Sequence, residues 1–214
     1  MKDILIIGAG GVGKETAWII EQINEAKKTW NIIGFIDDNQ EIQHKNINGY
    51  QVVGRCVDVK RYKGARVVCA IANYKVKKQI VSRVQIYGNE FVNIIHPSVY
   101  ILKSNHIGQG NIIYPGVVLT TNISIGNHII ISPKCGIGHE SNINDYSSIL
   151  WNVNISGNVT IEEGCFIGTG ATILQNINIC RESIIGAGSV VLKDIEEKCV
   201  VVGVPGKVIK KINV

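Results

Sequence analysis

The chain is short of several features that would assign it quickly. Its six cysteines, Cys56, Cys69, Cys135, Cys165, Cys180 and Cys199, include no Cys-x-x-Cys pair and no metal-ligand spacing, which fits a reduced, cytoplasmic compartment. No apolar run approaches a membrane span, so no membrane insertion is expected. Met1-Lys2-Asp3 leads straight into a short strand, so no secretory signal is expected. The net charge is only +5, without a dense basic stripe carrying interleaved aromatics, so nucleic acid is not an expected partner. That mild excess serves solubility or draws in a phosphate-bearing ligand. With 45% hydrophobic and 18% charged residues over 214 positions, the composition is that of an ordinary soluble protein of one large or two modest domains.

What is present is a repeat. Cut into sixes from Ser98 to Lys193, the chain places Ile101, Ile107, Ile113, Leu119, Ile125 and so on to Val191 at the fourth position, sixteen blocks of which fourteen carry Ile. The second position is small or moderate, as in Val99, Asn105, Cys135, Ser141, Ala171 and Ser189. Neither a 3.6-residue nor an alternating pattern keeps phase with this for more than two blocks. A period of six with one aliphatic and one small inward position is the signature of a parallel β-helix, each block giving a short strand and a corner. Gly, Asn and Asp recur near the corners, where positive φ costs them least. The isoleucine column alone does not offset the ordering of so many residues. The second column, the backbone ladders and neighbouring chains must contribute.

The first 97 residues read differently. Ile4 to Ile7 is a buried strand running into Gly8-Ala9-Gly10-Gly11-Val12-Gly13, and Lys14 to Lys28 has helical spacing. Strands follow at Ile32–Ile36, ending in Asp37-Asp38-Asn39, and at Arg66–Ala72, ending at Asn73 before a helix to about Tyr87. Val52-Val53 reads as a short edge strand, and Phe91–Ile95 closes the unit. Strand, glycine turn and helix point backbone N–H groups at a phosphate. Gly8, Gly10 and Gly13 satisfy G-x-G-x-x-G, and Asp37 falls where a ribose-binding acid would. Three or four strands make one mononucleotide-binding half, so a single nucleotide fits better than a dinucleotide, while glycines serving only a tight turn remain the alternative. The expected boundaries are 1–97 for an α/β Rossmann-like half domain and 98–214 for the β-helix with a short C-terminal tail.

Candidate chemistry in the repeat rests on histidine. His106, His128 and His139 occupy the third, first and sixth block positions, so within one chain they do not converge as a zinc site would require. His139 falls at a corner, from which side chains project outward, and Glu140 follows it. A carboxylate beside an imidazole fixes its tautomer and suits a general base, although such pairs also occur merely solvated. Beyond Lys193 the repeat stops. Val200 to Lys207 reads as a last extended piece, and Lys207, Lys210 and Lys211 as a basic tail facing water or a phosphate.

A single-nucleotide domain, an uninterrupted hexapeptide prism, His139-Glu140 at a corner and the ending Gly203-Val204-Pro205-Gly206-Lys207 together resemble one family over essentially the whole chain. It is the left-handed β-helix acetyltransferases acting on nucleotide-linked amino sugars, of the sialic-acid and bacillosamine type. The resemblance implies a homotrimer with acetyl-CoA in the groove between prisms, no metal, and a nucleotide-linked amino sugar held by the N-terminal domain. It also implies His139 as general base and Glu140 as its partner acid. Direct attack of the sugar amine on the thioester would follow, without an acyl-enzyme, with groove backbone amides polarising the carbonyl. The nucleotide positions fall on Gly10, Gly11, Val12, Asp37, Asp38 and Asn73, and the acetyl-CoA positions on Ser148, Gly157, Thr169 and Ala187. Two departures bear on which sugar is bound: Val12 and Ser148 stand where some relatives place histidine.

The expected function is N-acetylation of a UDP-, dTDP- or GDP-linked amino sugar for a surface glycan. The alternatives are O-acetylation of sialic acid or a related sugar, a zinc lyase of the carbonic-anhydrase type, and a catalytically silent scaffold. The sequence leaves open the nucleotide, the position of the amine and the exact acyl group.

Overall fold

A computed structural model describes residues 1–212, which form two compact units: residues 1–97 with 110–112, and residues 98–109 with those from 113 onward. In the first unit the order is β1 (Lys2–Ile7), α1 (Gly11–Ala26), β2 (Trp30–Ile36), β3 (Asn46–Ile47), β4 (Tyr50–Gly54), β5 (Arg66–Cys69) and α2 (Tyr74–Gln85). These strands make a sheet of order β3-β4-β2-β1-β5, parallel except for the β3–β4 hairpin. Ile4, Leu5 and Ile6 on β1 and Phe35 and Ile36 on β2 are fully buried, as apolar runs in a central parallel sheet must be. The sheet has one strand more than the three or four expected. Asn48 and Gly49 both take positive φ (50° and 89°), the two-residue turn that folds 46–54 into a hairpin and supplies the extra strand. At the other edge, Phe91 makes one parallel bridge to Val67, and β6 (Ile94–Ile95) follows.

The second unit is the prism. Strands of two residues recur every six from β7 (His106–Ile107) to β21 (Val190–Val191), and until the last coil each pairs in parallel with the strand eighteen residues on: Ser124 lies against His106 and Asn142 against Ser124. Three six-residue blocks therefore make one coil, and the strands sort into three faces. This is the parallel β-helix that the period of six predicts, left-handed as the resemblance implies. From Ile113 to Val191 the fourth-position side chains are buried, as are all sixteen second-position ones. The first two blocks differ: Ile101 starts no strand, and Ile101 and Ile107 are only half-buried.

Two features of the prism go beyond the expected pattern. Every first-position residue from Gly110 to Gly188 has positive φ, and this set includes His128, Lys134, Glu140, Tyr146 and Glu182 as well as glycines and asparagines. The coil therefore imposes the left-handed corner even on residues that disfavour it. The small second-position residues also do more than leave room. The Ser141, Ser147 and Ser183 hydroxyls donate to the carbonyls of Ser156, Glu162 and Glu196 one coil up. The Cys135 thiol, expected only to pack, donates to the Leu150 carbonyl at 2.8 Å. Burial pushes the Cys135 thiol up to about 11 and the Cys165 thiol to about 12.

The C-terminal segment departs from the single extended piece expected. β22 (Cys199–Val202) and β23 (Lys207–Lys211) form an antiparallel hairpin, with Gly203 at φ 98° where the chain reverses. Lys211 faces water yet bonds Glu196 at 2.7 Å. The expected domain limit at residue 214 lies two residues outside the described chain.

Candidate active site

The glycine run divides into two pairs with different jobs. A Cβ on Gly13 would stand 1.9 Å from the Gly8 carbonyl oxygen, and Gly8 itself has φ 100° with the Ala70 carbonyl at 3.0 Å from any added Cβ. Those two glycines are needed to close the turn. Gly10 and Gly11 are not: a Cβ on either meets nothing within 4 Å. Gly10 is the N-cap of α1 and offers no side chain to the first turn, which contains no acidic residue. The open space and the orphan N–H groups are together what an approaching phosphate needs. Val12 follows, half-exposed on the first turn.

Beside this helix end, at the carboxyl ends of the strands, lies a cleft of about 280 Å³. Ile36, Ile71, Val76 and Ile80 give it apolar walls, and Asp37, Asp38 and Arg83 give it polar groups. Asp37 accepts from the Ala9 N–H at 2.9 Å, which ties the end of β2 to the glycine turn, and from the Asn39 N–H at 2.9 Å. Asp38 accepts from the Cys56 N–H at 2.8 Å and from Arg83 at 3.1 Å. Burial alone would raise the Asp38 carboxyl, but these bonds outweigh it and hold the group below its usual value. Burial, and then the Asp38 charge, push the Cys56 thiol up to about 12. Asn73, expected at the nucleotide, stands at the N-terminus of α2. Its side-chain oxygen caps α2 through the Val76 N–H at 3.1 Å, and it does not line the cleft. The cleft residues on α2 (Val76, Gln79, Ile80, Arg83) are not among the sequence candidates, because within a helix of unknown docking nothing marks them.

In the prism, His139 and Glu140 are the sixth and first residues of successive blocks and form one corner. The His139 Nδ1 and a Glu140 carboxylate oxygen are hydrogen-bonded, and both side chains are more than half exposed, at 62% and 54%. The bond to His139, and then one to Asn122, hold the Glu140 carboxyl below its usual range, so it is ionised at neutral pH. An ionised carboxylate only accepts, so Nδ1 carries the proton, and in the neutral ring Nε2 is the nitrogen that presents a lone pair. Asn122 lies one coil below Glu140, a spacing of eighteen that had no meaning before the coil length was known. Gly157, one coil above His139, is the floor on which the ring rests: a Cβ there would meet Cε1 and Nε2 at 2.5 Å.

The remaining positions expected along an acetyl-CoA groove separate. Gly157 joins His139 and Glu140. Thr169 and Ala187 are exposed but occupy a different corner, and the Ser148 side chain on β14 (Ser148–Ile149) is buried, so it lines no open groove of the single chain. Next to Gly138, on the face holding β9 (Val118–Leu119), β12 (Gly136–Ile137) and β15 (Asn154–Ile155), is a shallow depression of about 230 Å³. Among the described residues no three His, Cys, Asp or Glu side chains gather as metal ligands, and no helix is long and apolar enough to cross a membrane.

The chain thus joins an α/β half domain with an open helix terminus to a hexapeptide prism bearing an exposed His–Glu pair. Comparison with known proteins agrees. Residues 3–84 match the PglD N-terminal domain, and residues 158–193 match the bacterial transferase hexapeptide (six repeats). The chain is thus similar, in its first 84 residues, to PglD N-terminal domains and, in residues 158–193, to bacterial hexapeptide transferases.

Among its relatives is the UDP-N-acetylbacillosamine N-acetyltransferase of Bacillus subtilis (strain 168), 30% identical over 51% of this chain and 50% of that protein. The GDP-perosamine N-acetyltransferase of Escherichia coli O157:H7 is 31% identical over 49% of this chain and 48% of its own length. The matches thus span about half the length of these curated relatives. Solved structures extend the likeness. A histidine-to-asparagine mutant of the perosamine N-acetyltransferase from Caulobacter crescentus, in complex with CoA and GDP-perosamine, superposes with a TM-score of 0.89 at 25% identity, covering 99% of this chain and 98% of that one. The acetyltransferase domain of PglB from Neisseria gonorrhoeae FA1090, in complex with acetyl coenzyme A, also gives 0.89, at 26% identity over 97% and 99%.

Proposed function

We propose that this protein transfers an acetyl group from acetyl-CoA to the amine of a nucleotide-linked amino sugar. The observation that carries the reading is the His139–Glu140 pair: an exposed imidazole whose Nδ1 is engaged by an ionised carboxylate and whose Nε2 lone pair is available. Nε2 accepts a proton from the sugar amine as its nitrogen attacks the thioester carbonyl. The carbon–nitrogen bond forms, the carbon–sulfur bond breaks, and the imidazolium returns its proton to the departing CoA thiolate. Glu140 holds the tautomer and stabilises the transient imidazolium, the role such an acid takes in triads. The first unit binds the nucleotide, with the diphosphate at Gly10 and Gly11 and the base and ribose in the cleft bearing Asp37 and Asp38. Support comes from the open space at the glycine pair and from relatives captured with CoA and GDP-perosamine.

We infer that the working unit is a cytoplasmic homotrimer with acetyl-CoA between adjacent prisms. Leu174 and Leu192, one coil apart, are exposed on the same side of the prism (41% and 53%), and Val118 is exposed three coils below Leu174 (60%), apolar area that a neighbouring copy would cover. Thr169 and Ala187 can contribute to the groove of His139 only from a neighbouring copy. The six cysteines are free, in keeping with a reducing compartment.

The test is acetyl transfer from acetyl-CoA to UDP-, dTDP- and GDP-linked amino sugars, with free sialic acid as the O-acetyl comparison. Transfer to one of the nucleotide-linked amines is expected, with most turnover lost in His139→Ala while the fold, trimer and CoA binding persist. Near-full rate in His139→Ala would refute the assignment of the base. Transfer to sialic acid alone would refute the substrate.

A further inference from the structure

We infer that Asn122 is a positioning residue for the proposed transfer: its amide pins the Glu140 carboxylate against His139 Nδ1, so that a corner pair open to water holds one geometry. The inference rests on the acetyl-transfer reading above and adds a third side chain to it. Glu140 is 54% exposed and His139 62%. An ion pair between exposed side chains ordinarily gains little, because water and rotamer freedom compete with it. Something beyond the pair must hold the carboxylate if Nδ1 is to keep its proton and leave Nε2 as the acceptor.

Asn122 supplies that hold. It is the first residue of its block, as Glu140 is, one coil lower. Both take left-handed φ, 57° and 56°, so their side chains leave the corner in the same sense. The coils are tied at this point by the Glu140 N–H, which donates to the Thr121 carbonyl at 3.1 Å. Higher on the same corner, Asn158 Nδ2 donates to Asn176 Oδ1 at 2.8 Å, so side chains eighteen residues apart do reach one another here. Asn122 is braced from below, its N–H donating to Ser104 Oγ at 3.4 Å, and Ser104 Oγ lies 3.2 Å from Thr121 Oγ1. The Asn122 amide donates to the Glu140 carboxylate, whose other side-chain contact is the His139 ring. One carboxylate is thereby fixed in two directions, sideways to Nδ1 and downward to Asn122. Of Ser104, Asn122, Glu140, Asn158 and Asn176, stacked at this corner, only Glu140 is charged. In the His139 column, Thr121 and Gly157 are the neighbours, with Lys103 two coils down and Lys193 three coils up. The only charge acting on Glu140 is that of His139.

The test uses the intact protein with acetyl-CoA and the nucleotide-linked amino sugar on which it acts. Asn122→Gly removes the amide and keeps the corner, because glycine takes φ 57° freely and Gly110, Gly116, Gly164, Gly170 and Gly188 already fill first positions. Its Tm should fall by no more than about 4 °C. Its kcat should fall about 10-fold, as expected when one hydrogen bond to a charged group is lost, with both KM values within about twofold of native. The pH profile gives a readout that a merely structural residue would not move. The base must be neutral to accept a proton, and a carboxylate held against the ring favours its protonated form. Release of Glu140 in Asn122→Gly should therefore shift the acid limb of kcat/KM to lower pH. Asn122→Asp, which also tolerates the left-handed corner, puts a second carboxylate beneath the first and should shift that limb to higher pH. Native kcat in Asn122→Gly, or acid limbs in both variants that superimpose on the native one, overturns the positioning role and leaves the acetyl-transfer reading standing. If the native protein acetylates none of the UDP-, dTDP- or GDP-linked amines, that reading falls, and this inference with it.

Discussion

The floor beneath His139 gives the sharpest test of the catalytic arrangement. In Gly157→Ala, the added Cβ would lie 2.5 Å from the Cε1 and Nε2 atoms of the imidazole and 3.0 Å from Cδ2, and no backbone atom is among its nearest neighbours. Ordinary carbon contacts are about 3.5 Å, so the ring must move by roughly 1 Å while the coil does not. Gly157 is not held in the left-handed region, so alanine suits its backbone. Removing a glycine from the unfolded chain stabilises by about 0.4–1 kcal/mol. For a chain of this size that raises Tm by roughly 1–4 °C. A misplacement of about 1 Å at a reacting group costs on the order of 100-fold in rate. The variant should therefore be as stable as the native protein or slightly more so, with kcat down about 100-fold and the KM for the nucleotide sugar unchanged. Thermal unfolding and steady-state kinetics read both. Native turnover would show that the ring position does not matter, and a drop in Tm would show that Gly157 serves the coil instead.

Other consequences follow from the prism and its thiols. Ile149→Ala empties a fully buried site in the middle of the fourth-position column and should cost about 2–5 kcal/mol, read by denaturant unfolding; a cost near zero would mean the column does not carry the coil. Ser183→Ala removes the donor to the Glu196 carbonyl and the acceptor for the Cys199 N–H, so a loss of about 1–3 kcal/mol is expected by the same assay. Burial raises Cys69 to about 12, Cys135 to about 11 and Cys165 to about 12. For an acid whose folded value lies above its unfolded one, stability is full below the unfolded value, near 9, and declines as pH rises toward the folded value. These thiols should stay unreactive to a disulfide reagent at pH 8 until the protein unfolds, and Cys165→Ala should shallow the loss of Tm above about pH 9. Rapid labelling of Cys165 in the folded protein would contradict its burial.

Much of this protein was set by its sequence alone, because a strict period of six admits one kind of solution. Once the fourth residue of each block is aliphatic and the second small, the coil, its inward columns and its corners follow, and His139-Glu140 falls on a corner by counting. The strand–glycine–helix start was equally legible, since φ > 0 at Gly8 and the tight approach at Gly13 are demands that only glycine meets. Relations between residues far apart in number had to wait for the fold. The eighteen-residue coil brings Asn122 to Glu140 and sets Gly157 under the imidazole. It also carries Thr169 and Ala187 to another corner, although they share with His139 the same sixth place in the block. In the first unit, Asn73 caps α2 because its oxygen meets the Val76 N–H, a contact that depends on where the helix starts. Arg83 became part of the cleft only because α2 packs where its side chain reaches Asp38, forty-five residues earlier in the chain. A one-dimensional pattern fixes which way each side chain points within its own element, whereas the partner it meets depends on how coils stack and helices dock.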